Sequence, residues 1–386
     1  MKRKLRMGMV GGGLTSFIGP VHRKALAIDG QIELVCGAFS IDPKESKETG
    51  ESLYLDPLRV YATYPEMFEK EKKMPADKRI DFVSVVTPNH VHYGPTKMAL
   101  ESGFHVVVEK PIAFSLAEAK SLEKLVDKTG LILALTHTYT GYPMVKEAKQ
   151  IIKSGKIGKV RKVYVEYPQG WLSGPLEKTG NLQASWRTDP KQSGRGGAIG
   201  DIGTHAANLA EYITGSPITE VCSMLNAVVE GRILDDDCSM LVKFDNGATG
   251  VLIATQVAAG DENNLNIRVY GEKGGLEWRQ EEPNTLVLKW LDKPKEILRA
   301  GWKYLSDEAK AFVRTPAGHP EGYLEAFANI YRAFTHAMHD YKPGKKINAE
   351  KYDFPDVRHG VHGMIFVETA VKSATANKKW IKVPKK

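Results

Sequence analysis

Short apolar runs alternate with longer amphipathic stretches over the first third of the chain. Lys4–Val10, Ile32–Phe39, Asp81–Val86, Val106–Val108 and Leu131–Leu135 have strand length, and polar residues gather where each one stops. Between them the spacing predicts helices over about Val21–Ile28, Tyr93–Gly103 and Ser115–Gly130, the last with Ser115 as N-cap and Gly130 as its stop. The charged run Glu66–Arg79 reads as solvated. Strand and helix alternating in this way is the signature of a doubly wound, parallel α/β Rossmann sheet, with a domain boundary near residue 137.

Beyond that point the pattern changes. A helix is expected over Tyr142–Gly155 and a strand over Lys159–Gln169. Cys222–Val229, Ser239–Phe244, Ala248–Thr255, Leu265–Tyr270, Gly275–Arg279 and Thr285–Leu291 are further strand candidates, and Asp245-Asn246-Gly247 is a hairpin signal between two of them. Pro316–His336 and Asp356–Ala374 read as late helices. The expectation is an α+β domain with a largely antiparallel sheet over 137–386, following a dinucleotide-binding domain over 1–136.

The candidate chemistry lies at the ends of these elements. Gly11-Gly12-Gly13 follows the first strand and precedes a helix, which is the context of a dinucleotide fingerprint. Gly11 allows the tight turn, and Gly13 allows close approach of a pyrophosphate facing the helix N-terminus. Leu14, Thr15 and Ser16 continue that loop, with Ser16 where the third fingerprint glycine is expected. The second strand ends at Ser40, where NAD-binding versions carry an acid. Ser40 brings no charge, Asp42 comes two residues late and Lys44 is nearby, so NADP is expected to be tolerated and NAD or NADP both remain open as cofactor. Thr87, Pro88, Asn89, His90 and His92 follow the third strand and read as a loop lining the cofactor site, and a metal between the two histidines is the less favoured reading. Glu109-Lys110-Pro111 ends the fourth strand, because Pro111 cannot donate to a ladder, and it leaves Lys110 at the carboxyl edge where ligands bind. His137 ends the fifth.

A second dense stretch runs from Trp186-Arg187 through Ser193 to His205, with glycines at 194, 196, 197, 200 and 203. A helix beginning near Asp201 sets Asp201 and His205 four apart on one face, where a carboxylate supports an imidazole in acid–base work. An N-cap aspartate beside a solvated histidine is the other reading of the same pair.

Composition narrows the class. The 386 residues are 42% hydrophobic and 26% charged, as in a soluble globular protein, and no apolar run is long enough for a membrane span. The basic start lacks an apolar segment before the glycines, so no secretory signal is expected. Three scattered cysteines argue against a disulfide framework or a cysteine zinc site and fit a reducing, cytoplasmic setting. The net charge of +8 comes from dispersed Lys and Arg, which points to small anionic ligands rather than nucleic acid.

Together, Gly11-x-Gly13, Thr87-Pro88-Asn89-His90, Glu109-Lys110-Pro111 and Gly196-Gly197-x-x-x-Asp201-x-Gly203-x-His205 resemble the Gfo/Idh/MocA oxidoreductases, in this order and over nearly the whole chain. The resemblance implies a Rossmann domain and a second domain with a large open sheet, which makes a homodimer or homotetramer. It implies NAD(P)-dependent hydride transfer to or from a sugar, polyol or related carbohydrate. By position it makes Lys110, Asp201 and His205 catalytic, with Thr87, Pro88, Asn89 and Glu109 at the cofactor. Trp186, Arg187 and His137 are expected to line the sugar pocket with His205. Asn208 stands where many members carry a second aspartate, and Thr138-Tyr139-Thr140 lacks the Asn and Arg common after the last Rossmann strand. Two alternatives accompany this reading: a glycoside-cleaving enzyme that uses tightly held NAD for transient sugar oxidation, and a non-catalytic NAD(P)- or sugar-sensing protein.

Overall fold

The apolar runs of the first third pair into a five-stranded parallel sheet in the computed structural model, which describes residues 3–384. Its strands are β1 (Leu5–Gly11), β2 (Ile32–Ala38), β3 (Phe82–Val86), β4 (His105–Val108) and β5 (Leu133–Leu135), in the order β2-β1-β3-β4-β5. Every residue of β3 and β4 is buried, as expected of a sheet covered on both faces. The intervening helices are α1 (Ile18–Ile28), α2 (Pro43–Ser52), α3 (Tyr64–Lys73), α4 (Tyr93–Glu101) and α5 (Leu116–Thr129). Ser115 and Glu118 form a capping box at the start of α5, and Gly130 closes it in the left-handed conformation. Helix α3 overlaps the charged run read as solvated. Its Met67, Phe68 and Glu71 are buried, and Glu71 is held there by Arg59 at 2.7 Å and by the Tyr61 hydroxyl at 2.9 Å.

The second sheet has nine strands: β6 (Val160–Pro168), β7 (Ile218–Asn226), β8 (Asp237–Phe244), β9 (Thr249–Thr255), β10 (Asn266–Gly271), β11 (Gly274–Arg279), β12 (Thr285–Trp290), β13 (Glu296–Arg299) and β14 (Trp380–Lys382). Their order is β13-β12-β11-β10-β6-β9-β8-β7-β14, antiparallel except for the β6–β9 pair. Alternation sets its two faces. Cys238, Met240, Val242 and Phe244 of β8 are buried, whereas Leu241 between them is 48% exposed. Helices α6 (Pro143–Lys153), α7 (Leu182–Thr188), α8 (Pro190–Ser193), α9 (Thr204–Thr214), α10 (Asp307–Lys310), α11 (Tyr323–Asp340), α12 (Ala349–Tyr352) and α13 (Val357–Thr375) complete the chain. Helix α9 lies on β6, β9 and β10. The Asn246-Gly247 turn joins β8 to β9, with Gly247 at φ +86°.

The chain divides into two compact units, 1–136 with 327–361 and 137–326 with 362–386. The first break falls between Thr136 and His137. The second unit is not the continuous 137–386 stretch of the sequence reading, because the chain returns to the first unit. Tyr331 of α11 hydrogen-bonds His22 and Ser84, Phe334 packs on Phe82 with ring centroids 4.9 Å apart, and Ala134 bridges Asp356. Among the described residues no helix is long and apolar enough to cross a membrane.

Candidate active site

In the first unit the site is built on the loops that leave β1, β3 and β4. Gly11 and Gly12 hold φ of +82° and +79°, which side-chain-bearing residues rarely adopt. A Cβ on Gly19, in the first turn of α1, would lie 2.5 Å from the Gly12 Cα. Gly19 therefore supplies the close helix–strand approach assigned to the third fingerprint glycine, three residues after the position occupied by Ser16. Ser16 acts differently. Its Oγ accepts from the Gly19 amide at 3.1 Å, as a helix cap does. Arg23 of α1 donates to the Gly12 carbonyl at 2.7 Å and fixes the loop from behind. Leu14 is exposed, and Thr15 faces Glu45, whose carboxylate accepts from its hydroxyl at 3.1 Å. Ser40 also donates to Glu45, at 2.6 Å.

The loops after β3 and β4 are bolted together by His92, which is buried. Its Nδ1 lies 2.6 Å from the Pro111 carbonyl and its Nε2 2.8 Å from the Thr87 carbonyl. A neutral ring can donate to only one of them, and burial pushes its pKa down. The ring expected to line the cofactor site thus holds the scaffold of that site. Glu109 also turns inward. Its Oε1 accepts from Thr136 at 2.5 Å and His22 at 2.9 Å, and its Oε2 from the Lys110 amide at 3.2 Å. Burial opposes its charge, yet His22, Thr136 and Lys110 keep the carboxyl below the usual range. Next to it, Lys110 begins the loop, joined to Pro111 by a cis peptide bond. Pro88 is exposed and Asn89 half-buried at the same edge.

In the second unit, the chain before α9 makes a π-helical turn over Ile199–Gly203 and becomes α-helical at Thr204. Such turns occur often at functional sites. The turn carries Asp201 and the helix carries His205. Asp201 Oδ2 accepts from Arg187 Nε at 3.1 Å and from Gln256 Nε2 at 2.9 Å. The Arg187 guanidinium in turn stacks 4.1 Å from the Trp186 ring centroid. Arg187 is thus the ionic partner of Asp201. His205 is buried, not solvated. Its ring meets His137, Tyr139 and Tyr167 at centroid separations of 5.5, 4.8 and 6.4 Å. Tyr139 and Tyr167 are hydrogen-bonded to each other, and Tyr167 donates to Asn263 at 2.6 Å. Burial pushes both phenol pKa values up, so both remain donors at neutral pH.

The N-terminal cap that the other reading gave to Asp201 is made by Asp235. Its carboxylate accepts from the Gly197 and Ile199 amides, each at 2.8 Å, and its carbonyl from Ala198 at 2.7 Å. A Cβ on Gly197 would stand 1.9 Å from that carbonyl oxygen, which explains the glycine. Burial raises the Asp235 pKa to about 6, against the pull of the amides. The folded protein therefore holds a proton that the unfolded chain releases near pH 4, and this contribution to stability is lost as pH rises through about 6. Comparing unfolding free energies of wild type and Asp235→Asn, we expect the difference to move in the variant's favour by up to about 3 kcal/mol between pH 4 and 6. A difference independent of pH would refute this.

The first unit suits a dinucleotide on its own geometry. The glycine cradle leaves no room for side chains, and at its rim the Thr87 Oγ1 is buried with no partner among the described residues. Residues 5–137 match an oxidoreductase family with an NAD-binding Rossmann fold, and residues 145–277 match the GFO/IDH/MocA C-terminal domain. The uncharacterized oxidoreductase YfiI of Bacillus subtilis is 33% identical over 384 residues, 99% of this chain and 97% of its own. The chain belongs to the GFO/IDH/MocA oxidoreductase family. Among solved structures, this family member is similar to an inositol dehydrogenase homologue from Azotobacter vinelandii complexed with NAD+, with TM-score 0.92 and 36% identity, covering 98% of this chain and 97% of that one. A second structure of the homologue holds NADH and myo-inositol, with TM-score 0.89 and 35% identity, covering 98% of each chain. Levoglucosan dehydrogenase of Pseudarthrobacter phenanthrenivorans is 27% identical over 307 residues, 74% of this chain and 76% of its own.

Sequence reasoning missed Glu45, Arg23, Tyr167, Gln256, Asn263 and Asp235. Only Glu45 and Asp235 carried a signal: Glu45 follows an Asp-Pro helix start, and Asp235 lies in an acidic triplet.

Proposed function

We propose that this GFO/IDH/MocA protein is an NAD(P)-dependent dehydrogenase or reductase that acts on a secondary alcohol of a sugar, polyol or related carbohydrate. The observation that carries the reading is a buried imidazole, His205, walled by three aromatic rings and lying four residues along the chain from a carboxylate held by Arg187 and Gln256. The inositol dehydrogenase homologue and levoglucosan dehydrogenase support the substrate class.

In the oxidative direction His205 takes the hydroxyl proton as general base. Asp201 favours the charged imidazole that results. Lys110 stabilises the substrate oxygen while it carries negative charge. Tyr139 and Tyr167 brace the imidazole wall, their hydroxyl hydrogens given to Tyr167 and Asn263, and His137 and Trp186 present surfaces for the carbohydrate. Bound nicotinamide supplies the hydride acceptor. Thr87, Pro88 and Asn89 would hold the nicotinamide end of the cofactor, and the glycine loop would hold its pyrophosphate. The outer face of the nine-stranded sheet is proposed as the homo-oligomer surface, because Leu241, Met224 and Ile297 are exposed.

The test is a panel of sugars and polyols with NAD and with NADP, read at the absorbance of the reduced nicotinamide. One member of the panel is expected to give stoichiometric reduced cofactor. Turnover without net cofactor reduction would sink the proposal.

A further inference from the structure

Position 40, at the end of β2, lacks the acid that grips the adenosine ribose in NAD-binding folds. The surrounding residues show where the missing charge has gone. Glu45 stands on the first turn of α2, and its carboxylate reaches back across the end of β2 to the glycine loop. Its Oε2 accepts from Ser40 Oγ at 2.6 Å, and its Oε1 accepts from Thr15 Oγ1 at 3.1 Å and the Thr15 amide at 3.5 Å. A Cβ on Gly13 would come within 2.8 Å of Oε1, so glycine at 13 also makes room for this carboxylate. The other charged neighbours are engaged elsewhere. Asp42 caps α2 by accepting from the Lys44 amide at 2.9 Å. The Lys44 ammonium is exposed and lies 3.9 Å from Glu48, along the helix.

We propose that Glu45 is the specificity-determining residue that binds the adenosine ribose 2′-hydroxyl and excludes a 2′-phosphate, making the protein selective for NAD. The inference rests on the reading of the glycine loop as the pyrophosphate site. A carboxylate can accept the proton of a ribose hydroxyl, whereas a 2′-phosphate brings a second negative charge to the same place. Like charges a few ångströms apart in a partly screened site disfavour the phosphate by a factor of about 10². Ser40 and Thr15 hold the Glu45 carboxyl below its ordinary range, so it is charged at neutral pH. Ser40, whose hydroxyl hydrogen is given to Glu45, is a positioning residue. On this proposal Glu45 supplies the negative charge that position 40 lacks, against the tolerance of NADP expected from Ser40 alone.

The experiment is calorimetric titration of the full chain with NAD and with NADP, for wild type, E45Q and E45K. Wild type is expected to bind NAD about 100-fold more tightly than NADP. In E45Q the ratio should fall at least about 10-fold, chiefly through tighter NADP binding, and in E45K it should fall further. An E45Q and E45K pair that retains the wild-type ratio would overturn the assignment, as would a wild type that binds both cofactors equally. If wild type binds neither, the pyrophosphate reading fails and the inference with it. Loss of turnover on every carbohydrate with the ratios as expected would defeat only the proposed reaction.

Discussion

His205→Ala is expected to lower kcat by about 10²- to 10⁴-fold, the usual contribution of a positioned general base. The substitution removes a buried ring that contacts His137, Tyr139 and Tyr167, so NAD affinity serves as the control for folding. That affinity should not change, because the imidazole is assigned to the substrate's proton. Lys110→Ala should cost a comparable factor through lost charge stabilisation. The double variant should fall short of the product of the two losses, as expected of residues that act as a unit. Asp201→Asn should be milder than His205→Ala, since the amide keeps an acceptor for Arg187 and Gln256. Near-normal turnover in His205→Ala would place the base elsewhere, with His137 the next residue to replace.

Gly19→Val should abolish measurable NAD binding and lower stability by about 3 kcal/mol, the upper range for overpacking. The obstacle is steric. A single added carbon at 19 would sit 2.5 Å from the Gly12 Cα and 2.8 Å from the Gly12 carbonyl oxygen, backbone against backbone, with no flexible side chain to yield. Helix α1 would have to lift away from β1. That movement carries its N-terminus, and the amides meant for the pyrophosphate, out of register with the glycine loop. Ser16→Gly, which restores the fingerprint on paper, should by contrast gain nothing and lose the cap on the Gly19 amide. Thermal unfolding and calorimetry on both variants decide the matter. A Gly19→Val protein that binds NAD as tightly as wild type would return the third-glycine role to position 16.

The elements that the sequence announced are those whose burial imprints a period. Strands β3 and β4 are fully buried runs dominated by Val and Phe, and Ser115 with Glu118 marks the start of α5 by side-chain chemistry alone. Helix α2 left no such imprint. Its Lys-Glu-Ser-Lys-Glu-Thr-Gly-Glu-Ser stretch has no apolar stripe, and only Asp42-Pro43 at its start betrays it. Glu45 was hidden for that reason: its role depends on a helix that folds it back over Gly13. Glycine spacing misled at Ser16, because one residue type serves both a turn and a close approach, and only packing separates the two. The ties to Asp201 come from Arg187 and Gln256, far apart in the chain, and nothing local in the sequence relates them. The partners of Glu109 were equally hidden: its side chain is held by His22 and Thr136, set by sheet order and by the helix packed behind it.

The return of Phe327–Val361 to the first unit makes that unit late-maturing on the ribosome. Residues 1–136 hold every strand of the parallel sheet, yet His22 and Ser84 find a shared partner only in Tyr331, and Phe82 its neighbour only in Phe334. Roughly 190 residues are translated between the end of β5 and those side chains, on the order of ten seconds or more at ordinary elongation rates. Through that interval the back of the sheet is a nascent surface with an open imidazole and an uncovered phenylalanine. The nucleotide half of the protein, although begun first, is completed only after β6 to β13 of the nine-stranded sheet have been made, and that sheet in turn waits for β14 at the end of the chain, so neither half is finished until synthesis is nearly over.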